Sequence, residues 1–163
     1  MREVHRFVIA GKAACSDAQI QDRLSKGFRD LEIITFRSEF DIDSAQHLRN
    51  LVKYGDLVNF GSIHAPGDLT IARIDRAHRE LAQSCVERII RVAPEVECER
   101  VVVHGSFYLT DVENRGKTFS LQKKAFQRCV ESLQRLARLA GNLGVKICLE
   151  NINAVYVLTS PTS

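Results

Sequence analysis

The chain has 163 residues, of which 45% are hydrophobic and 26% are charged, a balance typical of a globular protein with a buried core. Its formal charge of +3 is small and its basic residues are dispersed along the chain, which argues against a nucleic-acid partner. No apolar stretch approaches the roughly 18 residues that a membrane span needs, so we expect no membrane partner.

Five short apolar runs rich in Val and Ile alternate with longer amphipathic runs. They are too short for helices, and this composition favours β-strands. In chain order the predicted strands cover residues 6–10, 30–36, 57–64, 100–104 and 145–150.

Helix start and stop signals lie between these strands. Ser16 and Gln19 form a capping box that predicts the start of the first helix, and Gly27 predicts its end. Asp43 or Ser44 is expected to cap a second helix that ends near Gly55. The sequence therefore predicts two helices, each enclosed by strands.

Two longer helices are predicted at residues 74–93 and 120–143, with Pro94 and Gly144 as stops. Apolar residues spaced by three or four predict their buried faces. The expected faces are Ile74, Ala77, Leu81, Cys85, Ile89 and Val92 in the first, and Leu121, Ala125, Cys129, Leu133, Leu136 and Ala140 in the second.

The strict alternation of strand and helix predicts an α/β fold with a parallel sheet.

The five cysteines are widely spaced, odd in number and without a CxxC pair, which favours small buried side chains in a reducing compartment. The apolar run near the N-terminus is too short for a signal peptide. We therefore expect a cytoplasmic protein.

Three consecutive predicted strands end in a metal-ligand residue type, namely His64, His104 and Glu150. The carboxyl ends of parallel strands share one edge of a sheet, and the alternation of side chains directs all three residues to the same face. A single histidine at a strand end more often has a structural role. Three successive strands that each end in a ligand-type residue are harder to explain by structural roles alone. Two imidazoles and a carboxylate suit Zn²⁺ or Mn²⁺, with Mg²⁺ and Co²⁺ as alternatives.

Four sequence motifs in order along the chain resemble those of the xylose-isomerase-like TIM-barrel superfamily. They occupy residues 27–32, 63–66, 102–105 and 148–151, and read GFRDLE, IHAP, VVHG and CLEN. The superfamily holds sugar phosphate isomerases and epimerases together with endonuclease-IV-type apurinic endonucleases. The resemblance implies a TIM-barrel-type (β/α) repeat that covers essentially the whole chain.

The resemblance also implies roles for individual residues. His64 and His104 match metal-binding histidines, and Glu150 matches a metal-ligating glutamate that doubles as a proton-transferring acid/base in the epimerases. Glu32 matches a glutamate that lines the substrate pocket, although pairing with Lys or Arg at the barrel rim is an equal alternative. Asn151 is expected to orient Glu150 or a sugar hydroxyl, or to cap the loop backbone.

The function that the resemblance implies is a metal-dependent isomerase or epimerase acting on a small sugar or sugar phosphate, through proton transfer on a hydroxy-carbonyl group. Two alternatives stay open. An apurinic endonuclease is disfavoured because the first strand lacks the histidine which that branch carries there. A non-catalytic fragment that keeps the fold is the other alternative.

The chain departs from the family in length, since a (β/α)₈ barrel needs about 250 residues. Thr159, Ser160 and Pro161 form a helix start. We therefore expect residues 1–163 to form one incomplete barrel of about five strands, cut at the start of the fifth helix, with activity impaired. The exposed edges of strands one and five predict a homo-oligomer.

Overall fold

A computed structural model of the chain describes residues 10–36, 45–105 and 118–150. The strands are β1 (Gly11–Ala14), β2 (Asp30–Ile34), β3 (Asn59–His64), β4 (Arg100–His104) and β5 (Lys146–Glu150). The helices are α1 (Asp17–Ser25), α2 (Ala45–Arg49), α3 (Arg76–Val92) and α4 (Thr118–Asn142). Short 3₁₀ helices continue α2 over Asn50–Tyr54 and α3 over Ala93–Val96.

The five strands form one sheet in the order β1-β2-β3-β4-β5, and every neighbouring pair is parallel. This confirms the predicted α/β fold.

Within the described ranges the sheet does not close into a barrel, so β1 and β5 are its two edges. Predicted strands two to five are confirmed to within two residues at each end. Most of the predicted first strand lies outside the described residues, and β1 begins at Gly11.

The hydrophobic core lies between one face of the sheet and the helices. Leu31, Ile33, Ile63, Val101 and Val103 point to that face and are fully buried. Their neighbours along each strand point to the opposite side, here called the inner face, because side chains alternate along a strand. The inner face is where the functional candidates lie.

The start of α1 differs from the prediction. Ser16 is the N-cap residue, but its side chain makes no capping hydrogen bond. Gln19 Oε1 instead accepts a hydrogen bond of 2.7 Å from the backbone N–H of Ala14, at the end of β1. The Gln19 side chain therefore holds the β1–α1 turn, and the expected capping box does not form. The predicted glycine stop is confirmed, since Gly27 has φ +87°.

The buried face of α3 was predicted wrongly over its first half. Ile74 and Leu81 are exposed, whereas Ala82, Val86 and Ile90 are fully buried. Cys85, Ile89 and Val92 of the predicted face are buried as well, so the buried face is broader in the second half of the helix than predicted. Asp75 caps the start of α3 by accepting a hydrogen bond from the N–H of His78. The helix therefore buries two adjacent apolar stripes from Ala82 onward, and only the first turns of the predicted stripe are exposed.

The buried face of α4 agrees with the prediction. Ala125, Cys129, Leu136 and Ala140 are buried, and Leu133 packs against the core from a partly buried position. The side chain of Leu121 lies outside the described residues. Gly144 follows the helix with φ +70°, as its predicted role as a stop requires.

Two further expectations concern the cysteines and the membrane. All five cysteines are thiols rather than disulfides, and Cys148 is the one that is not fully buried. None of the helices in the described ranges is both long and apolar enough to cross a bilayer.

Candidate metal centre

Three adjacent strands bring His64, His104 and Glu150 together at the carboxyl edge of the sheet. His104 on β4 pairs directly with Glu150 on β5, and His64 on β3 pairs with Val102, two residues before His104. The three residues point to the inner face, which is the arrangement that the strand parity predicts. We call these three residues the metal cluster.

The polar atoms of the metal cluster converge on one point. Oε2 of Glu150 lies 2.9 Å from Nε2 of His64 and 3.0 Å from Nε2 of His104. The two Nε2 atoms are 3.2 Å apart, and the rings meet edge to face at 82°. All three potential ligand atoms lie within 4.8 Å of one another.

Backbone carbonyl groups fix the orientation of both imidazoles. Nδ1 of His64 lies 2.8 Å from the carbonyl oxygen of Ala65, and Nδ1 of His104 lies 3.2 Å from that of Gly67. A carbonyl oxygen can only accept a hydrogen bond, so each Nδ1 carries the proton. In the neutral rings each Nε2 therefore presents a lone pair to the cluster.

The convergence of these lone pairs favours a cation. Two imidazole lone pairs and a carboxylate oxygen face one another across 2.9 to 3.2 Å, which is repulsive unless positive charge lies between them. One proton on an Nε2 atom could satisfy one contact with the carboxylate, whereas a divalent ion would satisfy all three groups. Metal–ligand bonds of about 2.0 to 2.2 Å in tetrahedral geometry place ligand atoms roughly 3.3 Å apart. The observed separations of 2.9 to 3.2 Å are shorter by a few tenths of an ångström, so the three side chains would move slightly apart to hold an ion.

Electrostatics keep Glu150 ionised. A proton on Nε2 of His64, donated to Glu150, would lower the pKa of that carboxyl group, and desolvation opposes the effect. A cation between the three groups would lower the pKa in the same direction. The two imidazoles are buried, whereas the carboxylate side chain is 45% exposed. The metal cluster thus has a buried side, formed by the two imidazoles, and a solvent-exposed side at Glu150 that a small molecule can reach.

Gly67 is positioned so that any side chain would press on His104. A Cβ atom on Gly67 would lie 3.1 Å from Cε1 and 3.6 Å from Nδ1 of His104. Because Gly67 has no side chain, the loop after β3 can place the Gly67 carbonyl group against the imidazole ring of His104. Loss of such an orienting contact typically costs 10- to 100-fold in metal affinity, as an order of magnitude.

We therefore expect Gly67→Ala to weaken Zn²⁺ binding by roughly tenfold, because the new methyl group shifts the His104 ring. Calorimetric titration of the metal-stripped chain measures the effect. Gly141→Ala is the matched control, since a Cβ atom there meets nothing within 4 Å. Equal zinc affinities for both variants and the parent chain would show that Gly67 does not orient the ligand.

The structure places Glu32 against a lysine rather than in the metal cluster. Its Oε1 lies 2.9 Å from Nζ of Lys12, and its Oε2 accepts a hydrogen bond of 3.1 Å from Ser62. This is the ion-paired alternative that the sequence left open for Glu32. Asn151, the other expected substrate-binding residue, lies outside the described residues.

Sequence reasoning missed Lys12, Ser62 and the Gly67 carbonyl group. Ser62 could have been found, because it precedes His64 by two residues and a strand repeats its face every second residue. Lys12 stands in a short strand without a motif, and a backbone carbonyl contact leaves no signal in the sequence.

A separate cavity of about 370 Å³ opens at the opposite end of the sheet, beside Asp30, Asn59 and Glu97. Asp30 and Asn59 begin their strands and hydrogen-bond to each other, so the cavity faces away from the metal cluster. Active sites of parallel α/β barrels lie at the carboxyl ends of the strands. The metal cluster is therefore the better functional candidate.

Comparison with known proteins connects this geometry to a family. A profile for a family described as xylose isomerase-like TIM barrel matches residues 23–160. Among curated proteins, none matches the sequence significantly.

Solved structures resemble the fold over most of the chain. A D-tagatose 3-epimerase-like protein is 19% identical with a TM-score of 0.66, and the match covers 95% of this chain and 62% of that one. D-psicose 3-epimerase with D-tagatose, from Clostridium cellulolyticum H10, is 18% identical with a TM-score of 0.63, covering 89% and 53%. A Thermus thermophilus protein soaked with ZnCl₂ is 19% identical with a TM-score of 0.62, covering 88% and 55%. The chain thus spans between half and two thirds of these structures.

Proposed function

Because the chain belongs to the xylose isomerase-like TIM-barrel family, we propose that it binds one divalent metal ion and transfers a proton on a hydroxy-carbonyl sugar, as isomerases and epimerases do. The observation that carries this proposal is the convergence of three lone-pair donors from His64, His104 and Glu150 on one point. The similar structures include a D-psicose 3-epimerase and a D-tagatose 3-epimerase-like protein, which supports the same class of chemistry.

The residues of the metal cluster have distinct roles in this proposal. His64, His104 and Glu150 would hold the ion, which when bound supplies positive charge that polarises the sugar oxygens and acidifies the neighbouring C–H bond. The Ala65 and Gly67 carbonyl groups keep both Nε2 atoms aimed at the ion. We assign Zn²⁺ or Mn²⁺ because the donor set combines two nitrogen atoms with one carboxylate.

Glu150 also moves the proton in this scheme. It is ionised at neutral pH, as a group that accepts a proton from carbon must be. Its lowered pKa makes it a weaker base, and the acidification of the C–H bond that the ion would supply offsets this. Its side chain is 45% exposed, which lets a substrate approach it on the side away from the buried imidazoles. Accepting the proton removes the negative charge of Glu150, and the charge then resides on the sugar oxygens.

Exchange of the substrate proton with solvent tests the proposal. The chain is loaded with Mn²⁺ or Zn²⁺ and incubated with D-tagatose or D-psicose in deuterium oxide, and deuterium at the carbon next to the carbonyl is followed by NMR. We expect metal-dependent incorporation that chelation abolishes. The absence of exchange in the metal-loaded chain would contradict the proposal, and cleavage of an abasic DNA duplex would favour the endonuclease alternative.

We further propose that the chain associates with itself and resides in the cytoplasm. The inner face presents the half-buried side chains of Ile34, Val102 and Cys148, and Leu149 at the edge strand is 52% exposed. Apolar area of this kind favours association. A monomer in sedimentation experiments at micromolar concentration would contradict self-association. The five cysteine thiols support a reducing compartment.

A further inference from the structure

A second polar group of residues crosses the inner face beside the metal cluster. Lys12 on β1 pairs in register with Glu32 on β2, which in turn pairs with Ser62 on β3. Nζ of Lys12 lies 2.9 Å from Glu32 Oε1, and Ser62 Oγ donates a hydrogen bond of 3.1 Å to Glu32 Oε2. We call these residues the Lys12 cluster.

The Lys12 cluster is continuous with the metal cluster. Ser62 lies two residues before His64 on β3, so both side chains belong to the inner face. The ion pair with Glu32 raises the pKa of Lys12. The ammonium group is therefore protonated, and Lys12 belongs to the same face of the sheet as Glu150.

Several hydrogen-bonding positions in the Lys12 cluster are unused by the contacts described above. The ammonium group of Lys12 has three N–H donors, and its side chain is 66% exposed. The hydroxyl oxygen of Ser62 donates to Glu32 but keeps two lone pairs for an incoming donor. Glu32 Oε1 is shielded from solvent and, apart from its ion pair with Lys12, has no hydrogen-bond partner among the described residues, whereas Oε2 is held by Ser62.

We propose that Lys12 and Ser62, anchored by Glu32, bind hydroxyl groups of an unphosphorylated polyhydroxy ligand whose carbonyl end lies at the metal cluster. A sugar hydroxyl both donates and accepts, which matches an ammonium donor beside a hydroxyl acceptor. This inference rests on the proposed function, and it names the substrate class more narrowly.

Charge favours a hydroxyl over a phosphate group in this position. Lys12 and Glu32 form a neutral pair, so the Lys12 cluster carries no net positive charge of its own. A phosphate would bring about two negative charges next to the Glu32 carboxylate, and it would compete with that carboxylate for Lys12. A neutral hydroxyl uses a remaining N–H donor without breaking the ion pair.

Calorimetry of the Mn²⁺-loaded chain with D-fructose and with D-fructose 6-phosphate tests the inference. We expect the parent chain to bind D-fructose at least several-fold more tightly than the phosphate. Lys12→Met and Ser62→Ala should each weaken D-fructose binding by roughly tenfold, as expected for one lost hydrogen bond. Both variants should keep the Mn²⁺ affinity of the parent chain.

Lys53→Met is the matched control, because Lys53 makes a similar ion pair with Asp17 on the helical side of the molecule. It should leave both affinities unchanged. Lys12→Gln provides a second variant if Lys12→Met unfolds, as thermal unfolding would reveal.

Unchanged D-fructose binding in folded, metal-loaded variants would overturn the subsite and leave the proposed function standing. Tighter binding of the phosphate would also overturn the subsite. Failure of the metal-loaded parent chain to bind either sugar would overturn the proposed function together with the subsite.

Discussion

Glu150→Gln is expected to weaken Zn²⁺ or Mn²⁺ binding by at least about 100-fold, which is the upper end of the loss seen for residues that merely orient a ligand. The amide keeps the size of the side chain but removes the negative charge that offsets the ion. It also places a neutral group against two imidazole lone pairs at 2.9 and 3.0 Å. Calorimetric titration of the metal-stripped chain at neutral pH measures the change directly.

Glu99→Gln is the matched control for this substitution. Glu99 is exposed and contacts Lys146 at 3.4 Å, at the opposite end of β5 from Glu150. Its replacement should leave metal affinity unchanged. If Glu150→Gln binds metal as tightly as the parent chain, the carboxylate is not a ligand. The cluster would then be a hydrogen-bonded structural group.

Metal binding is expected to stabilise the fold strongly, because the three ligands come from three different strands. At a free metal concentration 100 times the dissociation constant, a ligand that binds only the folded state adds about 2.7 kcal/mol to the free energy of unfolding. For a domain of this size that corresponds to a rise of roughly 5 to 10 °C in the unfolding midpoint. His64→Asn and His104→Asn should each remove most of this rise.

Thermal unfolding with and without Zn²⁺, followed by circular dichroism, checks the second prediction. His47→Asn serves as the control, because His47 is exposed on α2 and away from the cluster. It should show the same metal-dependent rise as the parent chain. An equal rise in all three variants would mean that the ion binds elsewhere.

The strands were predictable because two signals coincide in each of them. Short Val- and Ile-rich runs bounded by helix caps predict buried strands, and their regular alternation with helices predicts the parallel order. Residues 30–34, 100–104 and 146–150 therefore follow almost directly from the sequence. The first half of the α3 face did not, because Ile74 and Leu81 fit the apolar spacing and yet are exposed, which depends on how the helix lies on the sheet.

Burial at the end of β5 also depended on tertiary context. Parity correctly groups Val145, Ile147 and Leu149 on one side, and Val145 is buried. Leu149 nevertheless remains 52% exposed, although it shares that side. Alternation fixes the direction of a side chain, but the neighbouring elements decide how far it is covered.

The metal cluster was predictable from the strand ends alone, whereas its surroundings were not. His64, His104 and Glu150 each terminate a strand, so parallel pairing suffices to bring them to one edge. The contact between Gly67 and His104 depends on the path of a loop. The pairing of Lys12 with Glu32 depends on the register of β1, which its four residues do not specify.

Crystals soaked with ZnCl₂ and measured at the zinc absorption edge test the central claim most directly. We predict one anomalous peak at about 2.0 to 2.2 Å from Nε2 of His64, Nε2 of His104 and an oxygen of Glu150. A chain that holds no zinc at that point, or holds it only at other residues, would contradict the assignment of this edge of the sheet as a metal centre.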